Sequence, residues 1–184
     1  MISDEQLVEA SLSGNASAFD DLVDRYQERL LRFLLTRSAS HADAEDAVQD
    51  TFINAYRYLA SFDPRWRFST WIYRIALRNL SRQRRPESQE STEVLVSDDD
   101  PMRNCIEMSE QENVWLTAKQ LLSDEVYTAM WLRYVEDLSV KEVSHALEQS
   151  QSWTKVNLLR ARRRLADALN EAPRTNTAQR ESYG

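Results

Sequence analysis

The segment 65–85, RWRFSTWIYRIALRNLSRQRR, combines a helical repeat of apolar residues with a high concentration of arginine. Five apolar residues recur at intervals of one, three and four, the spacing that places side chains on one face of an α-helix. They are Phe68, Ile72, Ile75, Ala76 and Leu80. The segment holds seven arginines, four aromatic residues and no acid, although the chain has a formal net charge of −7. The pattern predicts a long helix with an apolar face and a cationic face.

The cationic face, called here the arginine face, lies on another side of that helix. At about 100° per residue it gathers an indole and four guanidinium groups: Trp71, Arg74, Arg78, Arg82 and Arg85. Guanidinium groups pair with phosphate oxygens and aromatic rings stack on unpaired bases, so this face is predicted to bind melted nucleic acid. The alternative is a core role for Trp71 and Tyr73 beside solvated arginines. The helix is expected to follow the Asp63-Pro64 break, with Ser69 or a neighbour as its cap.

Two further amphipathic helices are predicted in the first half. An apolar stripe at helical spacing marks the first: Phe19, Leu22, Val23, Tyr26, Leu30, Phe33 and Leu34. Ser40, with Asp43 three residues later, predicts the start of the second. Its core stripe is Ala44, Ala47, Val48, Thr51, Phe52, Ala55 and Leu59. Its outer face, the acidic ledge, comprises Asp46, Gln49, Asp50, Ile53, Asn54 and Arg57, and either meets a partner or is an ordinary solvated face.

Charge is segregated along the chain. Residues 1–56 hold four basic residues against eleven acidic ones, whereas 57–85 hold eight arginines against Asp63 alone. Residues 86–114 then hold nine acids against Arg103, and 115–184 are nearly balanced. The acidic middle is rich in Ser, Glu and Asp, a composition typical of a disordered linker. We therefore expect two small helical domains joined by it.

Composition argues against several classes of protein. A chain of 184 residues with two glycines has no phosphate-binding glycine loop and little period-two alternation, so an all-α fold without enzymatic activity is expected. Cys105 is a lone cysteine and His41 and His145 lie far apart, so neither a metal site nor a cofactor is predicted. No apolar run reaches about 20 residues and the start resembles no signal peptide, which favours the cytoplasm without membrane insertion.

The second half contains a helix-turn-helix pattern. Ser123 precedes a helix with Val126, Ala129 and Met130 inward, and Ser139 with Glu142 forms a capping-box signature. A short break leads into a basic helix whose core positions are Thr154, Leu158, Ala161, Leu165 and Leu169. Its first turns would enter a major groove through exposed side chains: Gln151, Ser152, Trp153, Lys155, Val156, Leu159 and Arg160. A solvated basic helix is the alternative.

Four stretches together resemble one family, the extracytoplasmic-function sigma factors that have only regions two and four. They are AFDDLVDRYQERLLRFLL, DAEDAVQDTFINAYRYLASFD, RFSTWIYRIALRN and LRYVEDLSVKEVSHALEQSQSWTKVNLLRARRRL. The resemblance covers most of residues 5 to 170. It implies a region-two domain at 1–85, an acidic linker at 86–112, a region-four domain at 113–171 and a disordered tail at 172–184. The implied function is transcription initiation by an alternative sigma factor.

The resemblance also assigns partners and residues. The ledge residues Asp46, Gln49, Asp50, Ile53 and Asn54 would bind core RNA polymerase at its clamp helices, and region four would meet its flap. The melted −10 strand would meet Arg65, Trp66, Arg67, Phe68, Trp71, Arg74, Arg78, Asn79 and Arg82. The −35 duplex would meet Arg133 and the exposed residues of the basic helix named above. An anti-sigma factor is a further expected partner.

This sequence departs from the family pattern in its turns. Relatives usually have glycine where Asp137 and Ser152 stand, and their turn "GIS" is Glu148-Gln149-Ser150 in this chain. Trp153 replaces a common small threonine. Two rival functions also fit parts of the pattern: a stand-alone regulator that binds duplex DNA through its last helices, and a helical adaptor whose arginines bind acidic proteins.

Overall fold

The structure, a computed structural model, describes residues 2–83 and 110–171. Within these two ranges it consists of eight α-helices and one 3-10 turn at Leu59–Ser61, without strands. The helices are α1 (Asp4–Leu12), α2 (Ala16–Leu35), α3 (His41–Arg57), α4 (Phe68–Gln83), α5 (Glu110–Leu121), α6 (Asp124–Tyr134), α7 (Val140–Leu147) and α8 (Gln151–Glu171). The expected all-α class is confirmed. Most of the predicted linker and the whole predicted tail lie outside the described residues.

The predicted apolar stripes form the core of the first half. On α2, six of the seven stripe residues are buried and Val23 is partly buried. On α4, Phe68, Ile72 and Ala76 are fully buried. Burying a side chain of this size stabilises the fold by about 1.5–3 kcal/mol, which explains why the helical spacing was a reliable guide.

Caps define where several helices begin. The Ser40 hydroxyl accepts from the Asp43 amide at 3.1 Å, and Ser139 and Glu142 form the predicted capping box. The expectation for Ser69 was wrong: α4 begins at Phe68, so Ser69 lies inside its first turn and is buried. The helix starts earlier because Phe68 fills the core immediately after the loop.

The sequence pattern missed two helices, α1 and α5. Helix α1 opens with a capping box in which Ser3 accepts from the Gln6 amide at 3.2 Å and the Gln6 side chain accepts from the Ser3 amide. It ends at a turn through Gly14, whose φ of +97° favours glycine. Helix α5 begins at Glu110, three residues before the expected start of the second domain. Both helices have weak apolar stripes, which explains why periodicity did not indicate them.

The two halves share one hydrophobic core. The ring of Phe33 on α2 packs edge-on against Tyr73 of α4, at a centroid distance of 5.2 Å, and against Trp131 of α6 at 6.2 Å. Helix α7 packs along α4, and α7 and α6 both pack on α8. The second half is therefore seated on the first through α6 and α7.

A buried ion pair joins the halves beside this aromatic contact. Glu136 is 2% exposed and accepts hydrogen bonds from Arg29 Nε at 3.0 Å and Nη2 at 2.5 Å. A buried carboxylate requires such a partner because desolvation disfavours its charge. Burial, followed by the neighbouring Glu136 charge, raises the pKa of Tyr73. Glu136 is thus buried by the contact between halves.

Candidate nucleic-acid interface

The loop before α4 holds a closely paired arginine. Arg65 donates through its Nε to both Asp63 carboxylate oxygens at 2.9 Å and through Nη2 at 2.6 Å. These hydrogen bonds lower the pKa of Asp63 to about 2. The Arg65 side chain is nevertheless 84% exposed, so it can still meet an anion from solvent.

Trp66 and Arg67 of this loop contact the second half. The Trp66 ring stacks on the His145 imidazole of α7, with centroids 3.8 Å apart and planes 5° from parallel, and the Lys141 ammonium lies 5.1 Å from the Trp66 centroid. Arg67 Nη1 donates to the Asp137 carbonyl at 3.1 Å. Both predicted DNA residues therefore have protein partners in this structure.

Two arginines of the arginine face pair with a carboxylate at the end of α7, although the Arg78 side chain remains 59% exposed. Arg74 donates to Glu148 Oε1 through Nε at 3.2 Å and Nη2 at 2.7 Å, and Arg78 Nη2 donates to the same oxygen at 2.5 Å. These bonds lower the pKa of Glu148. The Arg82 side chain and Arg85 lie outside the described part of the chain.

Three predicted −10 residues are less accessible than expected. Phe68 is fully buried among Tyr26, Phe62 and Trp71, and Trp71 itself is half-buried against Phe62. Asn79 is buried, and its Nδ2 lies 3.4 Å from Thr51 Oγ1. In this structure both are core residues: aromatic rings from α2, the preceding loop and α4 surround Phe68, and Asn79 packs against polar side chains of α3. For Trp71 the core alternative holds in part.

The acidic ledge on α3 is exposed. Asp46, Gln49 and Asp50 face solvent, and the side chain of Ile53 is 48% exposed. Asn54 is half-buried and donates from Nδ2 to Asn79 Oδ1 at 3.1 Å. The ledge borders a groove between α2 and α3 that includes Val23, Val48 and Phe52. An exposed isoleucine between carboxylates next to an apolar groove suits a protein partner with mixed apolar and basic character.

The helix-turn-helix is formed by α7 and α8. The core positions Thr154, Leu158, Ala161 and Leu165 are buried. The predicted groove-facing residues are exposed, except Trp153, which is half-buried against the core: Gln151, Ser152, Lys155, Val156, Leu159 and Arg160. Arg133 of α6 is half-buried, and its Nη1 donates to the Leu138 carbonyl at 3.0 Å. The start of α8 thus presents cations and apolar groups to solvent together.

The two turns that flank α7 each contain a residue in the left-handed conformation. Asp137 has a φ of 52° and Glu148, the C-cap of α7, has a φ of 58°. Glycine adopts this conformation without strain, whereas a side chain there costs about 1–2 kcal/mol. This explains why glycine is expected at both positions in the family pattern.

Residues 2–83 and 110–171 contain neither a cluster of metal-ligating side chains nor a membrane-spanning helix. No group of three or more His, Cys, Asp or Glu side chains is arranged to hold a metal ion there. No helix in the same ranges is long and apolar enough to cross a bilayer.

The fold and these surfaces define a class: an all-helical protein with a helix-turn-helix and a second arginine-bearing helix. Comparison with known proteins then gives the family. Residues 22–89 match the family model Sigma-70 region 2. The chain is 33% identical over 175 residues to the ECF RNA polymerase sigma-E factor of Haemophilus influenzae, covering 88% of this chain and 92% of that protein. The chain therefore belongs to the extracytoplasmic-function sigma factors and acts in transcription initiation.

Other relatives agree with this assignment. The RNA polymerase sigma-H factor of Pseudomonas aeruginosa is 31% identical, with 90% of this chain and 93% of the relative covered. A chain of the solved complex of CnrH with the cytosolic domain of CnrY matches with a TM-score of 0.67 and 25% identity over 91% of this chain and 97% of that chain. The complex of sigma factor RpoE with the anti-sigma factor NepR from Bartonella quintana shares the fold, with a TM-score of 0.63, 20% identity and coverage of 84% and 98%.

The sequence pattern did not indicate the residues that cover the arginine face. His145, Glu148 and Lys141 meet Trp66, Arg74 and Arg78 across about 70 positions of sequence. Periodicity cannot detect a contact at that separation. The one available signal was Glu148 itself, a glutamate at a turn position that favours glycine.

Proposed function

We propose that this sigma factor binds core RNA polymerase through the acidic ledge on α3. The exposure of Asp46, Gln49, Asp50 and Ile53 supports this role, because an interface needs accessible charge around an accessible apolar side chain. Asn54 would sit at its edge. The clamp helices are the expected docking site on the polymerase, and the flap is the expected site for region four.

The loop before α4 and the arginine face would capture the melted −10 strand. The side that faces α7 and the turn before it carries four of the predicted −10 residues, which supports the proposal: Trp66, Arg67, Arg74 and Arg78. Arg65 of the same loop is 84% exposed. Unstacking a base costs a few kcal/mol, and stacking on an aromatic ring recovers about 1–3 kcal/mol per base. Trp66 is the best candidate for this stack because Trp71 is half-buried and packs against Phe62 and Phe68.

The first turns of α8 would read the −35 duplex in the major groove. Lys155 and Arg160 can reach phosphate or guanine, and Val156 and Leu159, which are 44% and 49% exposed, can contact thymine methyl groups. The proposal rests on the exposure of cationic and apolar side chains together on the first turns of α8. Arg133 would contact the backbone from α6.

The proposal also includes the domain bounds, the absence of catalysis, the cellular location and a protein partner. Region two would span 1–85, the linker 86–112, region four 113–171 and the tail 172–184. The protein would catalyse no bond formation itself, since polymerase supplies that chemistry, and it would act in the cytoplasm. An anti-sigma factor is proposed as a partner by analogy with the RpoE–NepR complex.

The proposed function is tested directly by mapping the transcript starts that depend on this protein. Purified bacterial core polymerase would transcribe a library of genomic fragments with and without the full chain, and the 5′ ends would be sequenced. Discrete new starts that share two upstream elements are expected. Asp50→Lys should abolish them because it reverses a ledge charge, whereas Glu9→Lys, an equal charge change on exposed α1, should not.

The rival functions predict different results. A stand-alone regulator would give no new starts and would bind specific duplex DNA tightly without polymerase. A helical adaptor would give neither new starts nor specific DNA binding. Either result would overturn the proposal.

A further inference from the structure

The end of α7 occupies the arginine face with a carboxylate. Glu148 Oε1 accepts from both Arg74 and Arg78, at distances between 2.5 and 3.2 Å. A single anionic oxygen bridging two guanidinium groups is the arrangement that a DNA phosphate would adopt on the same arginines. Glu148 therefore stands where the proposed function requires a phosphate.

This carboxylate sits at a conformationally costly position. The φ of 58° at Glu148 is one that glycine adopts freely and that other residues adopt with strain. The helix ends normally at this residue, with the Gln149 amide donating to the Ser144 carbonyl at 2.9 Å. A left-handed helix cap does not require a carboxylate. The two arginine contacts therefore explain the Glu148 side chain better than the turn does.

One turn earlier on the same helix, His145 occupies the place of a base. Its imidazole stacks in parallel on Trp66 at 3.8 Å, and its Nε2 accepts from Arg74 Nη1 at 3.1 Å. Burial, followed by the Arg74 charge, lowers the pKa of His145, which favours the neutral ring. A neutral nitrogen heterocycle stacked on an indole reproduces base–aromatic stacking.

The contacts of Glu148 and His145 are supported by further contacts between the two halves of the protein. Phe33 packs on Trp131, Arg29 binds the buried Glu136, and Arg37 Nη2 donates to the Asp124 carbonyl at 3.0 Å. These contacts join α2 and the residues just after it to α6 and the turn before α7, and none of them involves a residue of the arginine face. The cover on the arginine face is thus one part of a continuous interface.

With the two halves packed together, which we call the closed arrangement, the protein cannot bind the −10 and −35 elements at the same time. Elements centred near −10 and −35 are separated by about 25 base pairs, roughly 85 Å along B-form DNA. Here α7 contacts both α4 and α8, so the two DNA-reading surfaces are only about one helix apart. The segment 84–109 between the halves could span at most roughly 90 Å, which permits the required separation.

We propose that α7 is an intramolecular mimic of the promoter strand, with Glu148 in the place of a phosphate and His145 in the place of a base. In the free protein Glu148 and His145 thereby compete with DNA for Arg74, Arg78 and Trp66, and binding to core polymerase separates the halves and releases these three residues. This inference rests on the proposed function of Trp66, Arg74 and Arg78. It explains how an acidic chain can carry an arginine face without binding nucleic acid indiscriminately.

The test measures binding of a short fluorescein-labelled oligothymidylate to the free full-length chain by fluorescence anisotropy. Glu148→Gln should bind about fivefold more tightly than the wild type, because removing the competing charge raises the open population. Asp167→Asn removes one charge from an exposed site on α8 and should change binding less than about twofold. Adding Arg74→Ala to Glu148→Gln should abolish the gain.

The outcomes separate this inference from the proposed function. Equal binding by Glu148→Gln and Asp167→Asn would overturn the mimic, as would a gain that survives Arg74→Ala. Open-complex formation by the polymerase complex tests the function separately: Trp66→Ala should lower it, whereas Glu148→Gln should match the wild type. If Trp66→Ala and Arg74→Ala both leave it unchanged, the −10 role of this face fails as well.

Discussion

The two surfaces proposed to read DNA differ in what covers them. The first turns of α8 present Lys155, Val156, Leu159 and Arg160 to solvent. On the arginine face of α4, by contrast, Arg74 and Arg78 pair with Glu148 at the end of α7, and Trp66 of the preceding loop stacks on His145. A cationic pattern in sequence therefore identifies a surface that binds an anion, but that anion can belong to the same chain.

The largest expected effect comes from the buried ion pair that seats one half on the other. Glu136→Ala leaves Arg29 without its carboxylate and should lower the free energy of unfolding by about 2–3 kcal/mol, below the range for a fully buried pair because Arg29 is 34% exposed. Urea denaturation measures this change. Asp24→Ala, at an exposed site on α2, is the control and should change stability by less than about 0.5 kcal/mol. Equal stabilities of the two variants would contradict the role of Glu136.

The next largest effect concerns Trp66 and the melting of promoter DNA by the complex with polymerase. Trp66→Ala should reduce open complexes about tenfold, because loss of one base stack costs about 1–3 kcal/mol. Permanganate reactivity of unpaired thymines measures the melted fraction. Trp66→Phe retains a ring and should recover most of the activity; if it behaves like Trp66→Ala, stacking is not the role of this residue.

A smaller effect should distinguish the open surface from the covered one in the free protein. Lys155→Ala should weaken non-specific duplex binding several-fold and lower the salt slope by about one, since an exposed phosphate contact is lost. Arg78→Ala should have a smaller effect, because Glu148 already neutralises that guanidinium, although the Arg78 side chain is 59% exposed. Salt titrations of duplex binding measure both, and similar losses would show that both surfaces are open.

The smallest effect is a response to pH. The pKa of His145 lies below its ordinary 6.5 in the folded chain, so the closed form with its neutral stacked ring begins to lose stability as the pH falls below about 6.5 and continues to lose it down to the lower pKa of the folded chain. A charged ring would face Arg74, Arg78 and Lys141, with Asp63 and Glu148 as partial compensation. Oligothymidylate binding should therefore rise about twofold more on acidification in the wild type than in His145→Gln. If the wild type and His145→Gln have parallel pH profiles of oligothymidylate binding, His145 is not the group that responds to pH.

Much of the fold follows from local sequence. The stripes of α2, α3 and α4 and the caps at Ser40 and Ser139 are local features, and each is present. Helices α1 and α5 were missed because short helices with weak stripes depend on packing for their stability.

The candidate site is only partly readable from the same patterns. The exposure of Asp50 on the ledge follows from helical phase, as does that of Lys155 on α8. The burial of Phe68 and Asn79 does not, because phase defines a face and not the element that packs on it. The cover over the arginine face depends on contacts between distant segments, which only a tertiary structure supplies.

The central claim is that the halves are closed in the free protein and separate on the promoter. Spin labels at Asp24→Cys on α2 and Asp167→Cys on α8, in a chain with Cys105→Ser, would report the distance by double electron–electron resonance. We expect one short distance in the free chain and a distribution longer by tens of ångströms in the complex with core polymerase and promoter DNA. The same short distance in both states would contradict the account.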